Sequence, residues 1–277
     1  MAESSLSRPL GTLIVAAALV VAFGVTCEPA GATPIEVAAA APLAAEFQRE
    51  VAWRLTVPPE DQVAYAERLQ VALAAAQTPL EARQYILLVD RNPNVQAALL
   101  YWGSAEQGWV FVGAASVSTG LPGRYEHFTT PLGVFDHSMA NPDFRAEGTK
   151  NKLGFRGYGV KGMRIYDFGW IDAPRGWGNG AMGVLRLQMH ATDPDLAEGR
   201  LGSAQSEGCV RIPATLNSFI DRHGVLDDAY QQAEAEGEHL WVLRKDRTPT
   251  VTPGRYLVVI DSEHSERPLW SPPPAKH

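Results

Sequence analysis

From Arg83 onward the chain is written in short β-rich runs, Gln84 to Val89, Val95 to Trp102 and Gly108 to Val117, with Asp, Asn, Pro and Gly between them. Runs of that length, bounded by turn-forming residues, fold as sheet strands with tight connections rather than as long helices. A later segment, Gly183 to His190, alternates. Leu185, Leu187 and Met189 share one face, and Arg186, Gln188 and His190 the other, the period of a strand with one side buried. His190 therefore ends a strand on its polar face. His239 to Arg244 and Arg255 to Ile260 read as further strands. Between these groups, Asn141 to Gly180 is rich in Gly and aromatics, including Trp170 and Trp177, and has no long periodic run. It reads as a long excursion over one face. These patterns place a mainly β principal domain at 83–262.

Helices are expected on either side. In 33–82, taken as a helical N-terminal segment, the Ala-rich stretch up to Leu55 contains Pro34 and Pro42 and reads as a tether or a loosely packed lead-in. Pro58 and Pro59 then open a helix whose first turn carries Glu60 and Asp61, which complement the positive end of the helix dipole. Tyr65, Leu69, Ala72, Leu73 and Ala76 follow at helical spacing and form a stripe that docks on the main domain. A second helix spans Pro213 to His223, with Ile212, Leu216, Phe219 and Ile220 as its apolar face and Gly224 as its stop. Another follows near Leu226 to Glu236. The Pro-rich end marks 263–277 as a loose tail.

Leu10 to Thr26 is an apolar run preceded by Arg8 and followed by Glu28, Pro29 and the small residues Ala30-Gly31-Ala32. That layout is a secretory signal peptide, 1–32, cut after Ala32, and it places the protein in the periplasm or cell envelope. The run is shorter than the roughly 20 apolar residues of a membrane span, and only an uncleaved signal would make it an anchor. Thr26 stands where a lipoprotein signal prefers Gly, Ala or Ser. Cys27 leaves with the signal, so Cys209 has no disulfide partner, and an unpaired thiol in an oxidising compartment is either protected or used. Removing Glu3, Arg8 and Glu28 leaves 23 basic and 29 acidic side chains. That balance invites neither nucleic acid nor an anionic membrane surface.

Cys209 lies in Ser206-Glu207-Gly208-Cys209-Val210-Arg211, directly ahead of the expected helix. The dipole of that helix and the charge of Arg211 favour thiolate, and Gly208 lets the backbone bend. Amides of Gly208 and Cys209 then form an oxyanion site, with His190 as general base. The same residues also read as a small buried hydrophobe and a satisfied surface histidine. A metal group of His190, Asp193, Asp195 and Cys209 lacks any repeated ligand spacing, and Asp193-Pro194-Asp195 more simply makes a turn. Tyr125 and His127 line a cleft or supply loop polarity; His137 gives a weaker signal. Trp170 and Trp177 close over a substrate or anchor their loop.

A histidine followed, after a gap, by Ser-x-Gly-Cys-x-Arg resembles the L,D-transpeptidase catalytic domain of the YkuD type. Ser118-Thr119-Gly120 and Thr130-Pro131-Leu132-Gly133-Val134-Phe135 are similar to further family segments in the same order. The resemblance implies a β-sandwich or barrel-like domain with its nucleophile in a cleft under a mobile lid. It implies Cys209 as nucleophile, His190 as base and the Ala191 carbonyl as the group orienting that base. Ser206 and Gly208 match the loop that shapes the oxyanion site, and Arg211 falls where the family has Asn or Arg. Substrate contacts are then expected from Arg211, Ser206, Glu207, His127 and Tyr125. Glu207 replaces a histidine common in the family, which changes the surroundings of the thiol. The implied activity is acyl transfer from a peptidoglycan tetrapeptide stem through a Cys thioester to an amine, releasing D-Ala, in wall organisation and cell shape. No metal or organic cofactor is implied, and carbapenem-type β-lactams are implied covalent inhibitors. Two alternatives stay open: a carboxypeptidase or crosslink-cleaving hydrolase using the same pair, and a non-catalytic wall-binding protein. Papain-like enzymes place Cys before His, and sortase-like enzymes need an essential arginine and wider spacing.

Overall fold

A computed structural model describes Met1, residues 34–78, Leu80 and residues 82–273. Apart from Met1, the expected signal peptide, its cleavage site and Cys27 lie outside the described residues. No helix among the described residues is long and apolar enough to cross a membrane.

Two helices lead, α1 (Pro34–Glu50) and α2 (Pro59–Ala75). Strands β1 (Gln84–Asp90), β2 (Ala97–Ser104) and β3 (Gly108–Ser116) follow as an antiparallel meander. Next come β4 (Gly133–Asp136), the two-residue β5 (Phe144–Arg145), β6 (Arg164–Pro174) and β7 (Met182–Ala191). The chain continues through β8 (Val210–Ile212), α3 (Ala214–His223) and α4 (Asp228–Ala235), and ends its regular structure with β9 (Tyr256–Ile260). One sheet has the order β3-β2-β1-β9-β4 and the other β5-β6-β7-β8. Pairs β1·β9 and β7·β8 are parallel and the rest antiparallel. The architecture is mixed α/β, two open sheets with helices, not a closed barrel.

Alternation along the first sheet sends its side chains into two cores. Tyr85, Leu87, Val89, Leu100 and Val259 join Tyr166, Leu187, Met189, Val210 and Ile212 of the second sheet, together with Phe219 and Ile220 of α3. On the opposite face, Ile86, Leu88, Leu99, Tyr101 and Val258 pack under the expected α2 stripe of Tyr65, Leu69 and Leu73. Helix α1 is not a loose lead-in, because Ala40, Leu43, Phe47 and Val51 belong to the first core. Gly113 of β3 makes room for it: a Cβ there would fall 2.3 Å from the Phe47 ring. Gly113→Ala is therefore expected to cost about 1–3 kcal/mol by overpacking, read as a lower urea midpoint at unchanged slope.

Three expectations need correction. Residues 239–244 form turns rather than a strand, with Trp241 exposed and Val242 buried. The run lacks the alternation that would bury one face. Within the excursion, residues 164–174 form an 11-residue strand, β6. A bulge between Asp167 and Trp170 interrupts its register against β7 and hides its period. The tail is docked through Ser271: the Trp270 ring stands edge-on to Tyr65 at 5.8 Å, and both Trp270 and Ser271 are buried. Burial of one large aromatic outweighs the effect of the flanking prolines. Helix α3 ends as its sequence signals, with Gly224 at φ 55° and the Val225 amide donating to Ile220 O.

Candidate active site

Strand β8 begins opposite Met189 of β7, and its register pairs His190 with Arg211 and Ala191 with Ile212. Cys209 is the residue just before this pairing starts, so its thiol falls where the next strand partner would stand. Sγ lies 3.7 Å from Arg186 O, and the Gln188 amide is a hydrogen-bond donor to it. Partner residues on adjacent strands point the same way, which places Arg211 and His190 on one face. Tyr158 packs on the imidazole and feels the charge of the thiol. Its ring meets the His190 ring edge-on at 4.6 Å, its hydroxyl is 3.4 Å from Gln188 Oε1, and the charges of Cys209 and Glu207 act on that hydroxyl.

His190 is buried, and its Nδ1 is 2.8 Å from Ala191 O. A carbonyl only accepts, so Nδ1 carries the hydrogen and Nε2 keeps its lone pair. Burial pulls the imidazole pKa down to about 4, with Arg211 adding to the fall and the Ala191 bond opposing it. The ring is therefore neutral at physiological pH.

The loop before Cys209 is closed by its own hydrogen bonds. Ser206 Oγ donates to Cys209 O at 2.6 Å and accepts from the Gly208 amide at 3.1 Å. Thr130 Oγ1 donates to Gly208 O and accepts from the Gly120 amide. Gly208 has φ 130°, and a Cβ there would lie 2.9 Å from Leu185 and 3.1 Å from Phe128, so this position takes Gly for both conformation and space. Because the Gly208 amide already serves Ser206, Cys209 N–H is the remaining donor of the expected oxyanion pair.

The expected helix-dipole activation needs correction. Helix α3 starts at Ala214, beyond the three residues of β8, and a dipole acts only within its first turn. Burial pushes the Cys209 thiol up, and Glu207 and Asp167 add to that; the Gln188 amide and Arg211 oppose it. Glu207→Gln is thus expected to lower the thiol pKa and speed Cys209 alkylation at pH 8 by about twofold or more. Iodoacetamide kinetics across pH measure both.

Arg211 is half-buried, bonds Gln205 O at 3.3 Å, and is held below the usual arginine range by burial. Tyr125 is three-quarters exposed and touches Trp177 edge-on at 5.7 Å, and Phe128 meets the same indole at 4.9 Å. His127 is half-buried with its carbonyl accepting from Gly176 N, and the neighbouring Phe128 joins this segment to the thiol loop, its amide donating to Glu207 O. Asp193, Asp195 and Arg156 form an ion-pair cluster of their own, which accounts for the Asp-Pro-Asp turn. Trp170 is exposed beside the Arg186 guanidinium.

Three residues near the thiol carried little sequence signal. Tyr158 lies in the aperiodic excursion. Buried Asp167 accepts from Arg186 Nε at 2.7 Å and Gln188 Nε2 at 2.8 Å, and so fixes the polar row leading to His190. Gln188 was legible only as a polar-face residue of its strand.

No protein-family model and no curated protein matches the sequence. Among solved structures, the chain is weakly similar to the helical cell shape determining protein Pgp2 from Campylobacter jejuni, in its K307A mutant and unmutated forms. Each comparison has a TM-score of 0.29 and 13% identity over 74% of this chain, which spans 57% and 58% of the two Pgp2 chains. A likeness of that degree carries no argument for a shared fold or activity.

Proposed function

We propose that this chain is an exported peptidoglycan L,D-transpeptidase with Cys209 as nucleophile and His190 as general base. The observation that carries the reading is the Ala191 carbonyl on His190 Nδ1, which leaves Nε2 as a neutral base beside Tyr158, whose hydroxyl the charge of Cys209 also reaches. The family-like order of His190, Ser206, Gly208, Cys209 and Arg211 supplies the substrate class. Sγ attacks the carbonyl carbon of the diamino-acid residue that precedes the terminal D-Ala. Its proton passes to His190 Nε2 and on to the departing D-Ala amine as the C–N bond breaks. The acyl group remains as a thioester. An acceptor amine then gives its proton to His190 and attacks that thioester, forming an amide and releasing the thiolate.

Incubation with a carbapenem followed by intact-mass measurement tests the nucleophile. The expected result is one covalent adduct, absent in Cys209→Ala. A Cys209→Ala protein that still released D-Ala from purified tetrapeptide would refute the assignment. Product masses from wall fragments then read the acceptor, dimers for amine transfer and trimmed monomers for hydrolysis.

A further inference from the structure

Glu46 and Glu50 are one turn apart on α1, and His223 is the last residue of α3. One oxygen of each carboxylate and one ring nitrogen of the histidine lie within 4.8 Å of one another. Core packing brings them there: Phe47, between the two glutamates, meets Phe219 at 5.3 Å, and Phe219 in turn packs on the His223 ring at 4.8 Å. The histidine is buried and both glutamates are half-buried. These are donors held against the protein rather than a patch of solvated acid.

The imidazole is oriented from both ends. Nε2 faces Glu50 Oε1 at 3.3 Å, and Nδ1 faces the Thr248 hydroxyl at 3.3 Å. A hydroxyl both donates and accepts, so Thr248 can take a hydrogen from Nδ1 and leave the Nε2 lone pair pointing at the carboxylates. An outer partner on the second ring nitrogen is the usual companion of a metal-binding histidine. Two arginines stand nearby, Arg49 paired with Glu46 and Arg222 at 3.7 Å from Glu50. Their side chains are 63% and 42% exposed, so these pairs are weakly held and can shift outward.

We propose that Glu46, Glu50 and His223 bind a divalent cation of the zinc class, which staples α1 to α3. One imidazole nitrogen with two carboxylates suits Zn²⁺, whereas Ca²⁺ and Mg²⁺ favour all-oxygen shells. Two carboxylates and a neutral imidazole balance the charge of the ion, and three protein ligands leave a fourth position for water. Metal–ligand lengths of about 2.0–2.2 Å require the three ligand atoms, now within 4.8 Å of one another, to close in around the ion. A shallow cavity lined by Glu50, Ala214, Ser218 and Arg222 opens beside the group and gives the ion a path from solvent.

The test titrates the full chain and its Cys209→Ala variant with Zn²⁺ by calorimetry, with Tm followed in parallel. One equivalent is expected in both proteins, with Tm rising by several degrees at saturation. Glu50→Gln and His223→Gln are each expected to raise Kd at least tenfold and remove the Tm rise. Where either loses its near-UV circular dichroism, Glu46→Gln gives the same readout at the most exposed of the three ligands. No binding by the full chain overturns the proposal. So does binding that is lost in Cys209→Ala, or that persists undiminished in the folded ligand variants.

Discussion

Cys209→Ala is expected to abolish thioester formation and D-Ala release, and His190→Ala to slow acylation by about 10²–10⁴-fold, the usual contribution of a positioned general base. Electrostatics set the form of the remaining activity. The thiol is held above its ordinary value by burial while the imidazole falls to about 4. Proton transfer from resting thiol to resting imidazole is therefore expected to be uphill, so the free protein should hold a neutral thiol and a neutral imidazole rather than a thiolate and an imidazolium. In the proposed mechanism His190 then acts as a base only while Sγ is bonding to the substrate carbonyl. Two results follow. Acylation by carbapenem should lose rate on the acid side only as pH falls toward about 4, where His190 gains its proton. Alkylation by iodoacetamide, which needs preformed thiolate, should be slow at pH 7 and climb into the alkaline range. A thiol that alkylates fully at pH 6 would contradict this account, and stopped-flow rates on both reagents across pH 4–10 decide it.

The strand that carries His190 was legible because apolar and polar side chains alternate along β7 even where Leu187 to Ala191 is buried on both faces; the α2 stripe and the Gly224 stop were legible from their own local patterns. Less legible were elements whose surroundings suppress a period. Strand β6 is buried at nearly every position of its first half and then bulges, so neither alternation nor a simple apolar run marks it. Tyr158 is unreadable for a different reason. Its position depends on where a long aperiodic segment crosses the sheet, which no local pattern encodes. Helix-dipole activation of Cys209 failed on a matter of three residues, since β8 intervenes between thiol and helix. The motif singled out Cys209 as the proposed nucleophile, but only the register of β7 on β8 revealed that the Gln188 amide, not a helix end, faces the sulfur.

Arg164→Met is expected to cost about 3–5 kcal/mol, the usual penalty for breaking a buried ion network from one side. Arg164 is fully buried; its Nε donates to Asp143 Oδ2 at 2.6 Å and its Nη1 to Asp227 Oδ2 at 2.9 Å, with Asp221 at 3.6 Å. His137 is the second cation of this group. Its Nδ1 lies 2.7 Å from Leu226 O and its Nε2 2.9 Å from Asp143 Oδ1. Both partners only accept, so both ring nitrogens must carry hydrogen and the ring is imidazolium. Burial alone would pull its pKa down, but the charge and hydrogen bond of Asp143 outweigh that and raise it. A histidine raised on folding contributes stability in full below its unfolded value of 6.5 and loses it as pH climbs through the folded value. Asp143 runs the other way: burial pushes it up, His137 and Arg164 more than reverse that, and its contribution is lost as pH falls through the depressed value. Urea midpoints should therefore fall on the alkaline side in the wild type, and His137→Gln should flatten that limb while lowering the neutral midpoint. The network also reaches the thiol. Asp143 Oδ1 accepts the Asp167 amide, and the Asp167 carboxylate holds Arg186 and Gln188. Arg164→Met should thus slow carbapenem acylation even at temperatures where the protein remains folded by circular dichroism, because the strand row that presents Gln188 to the sulfur loses its anchor.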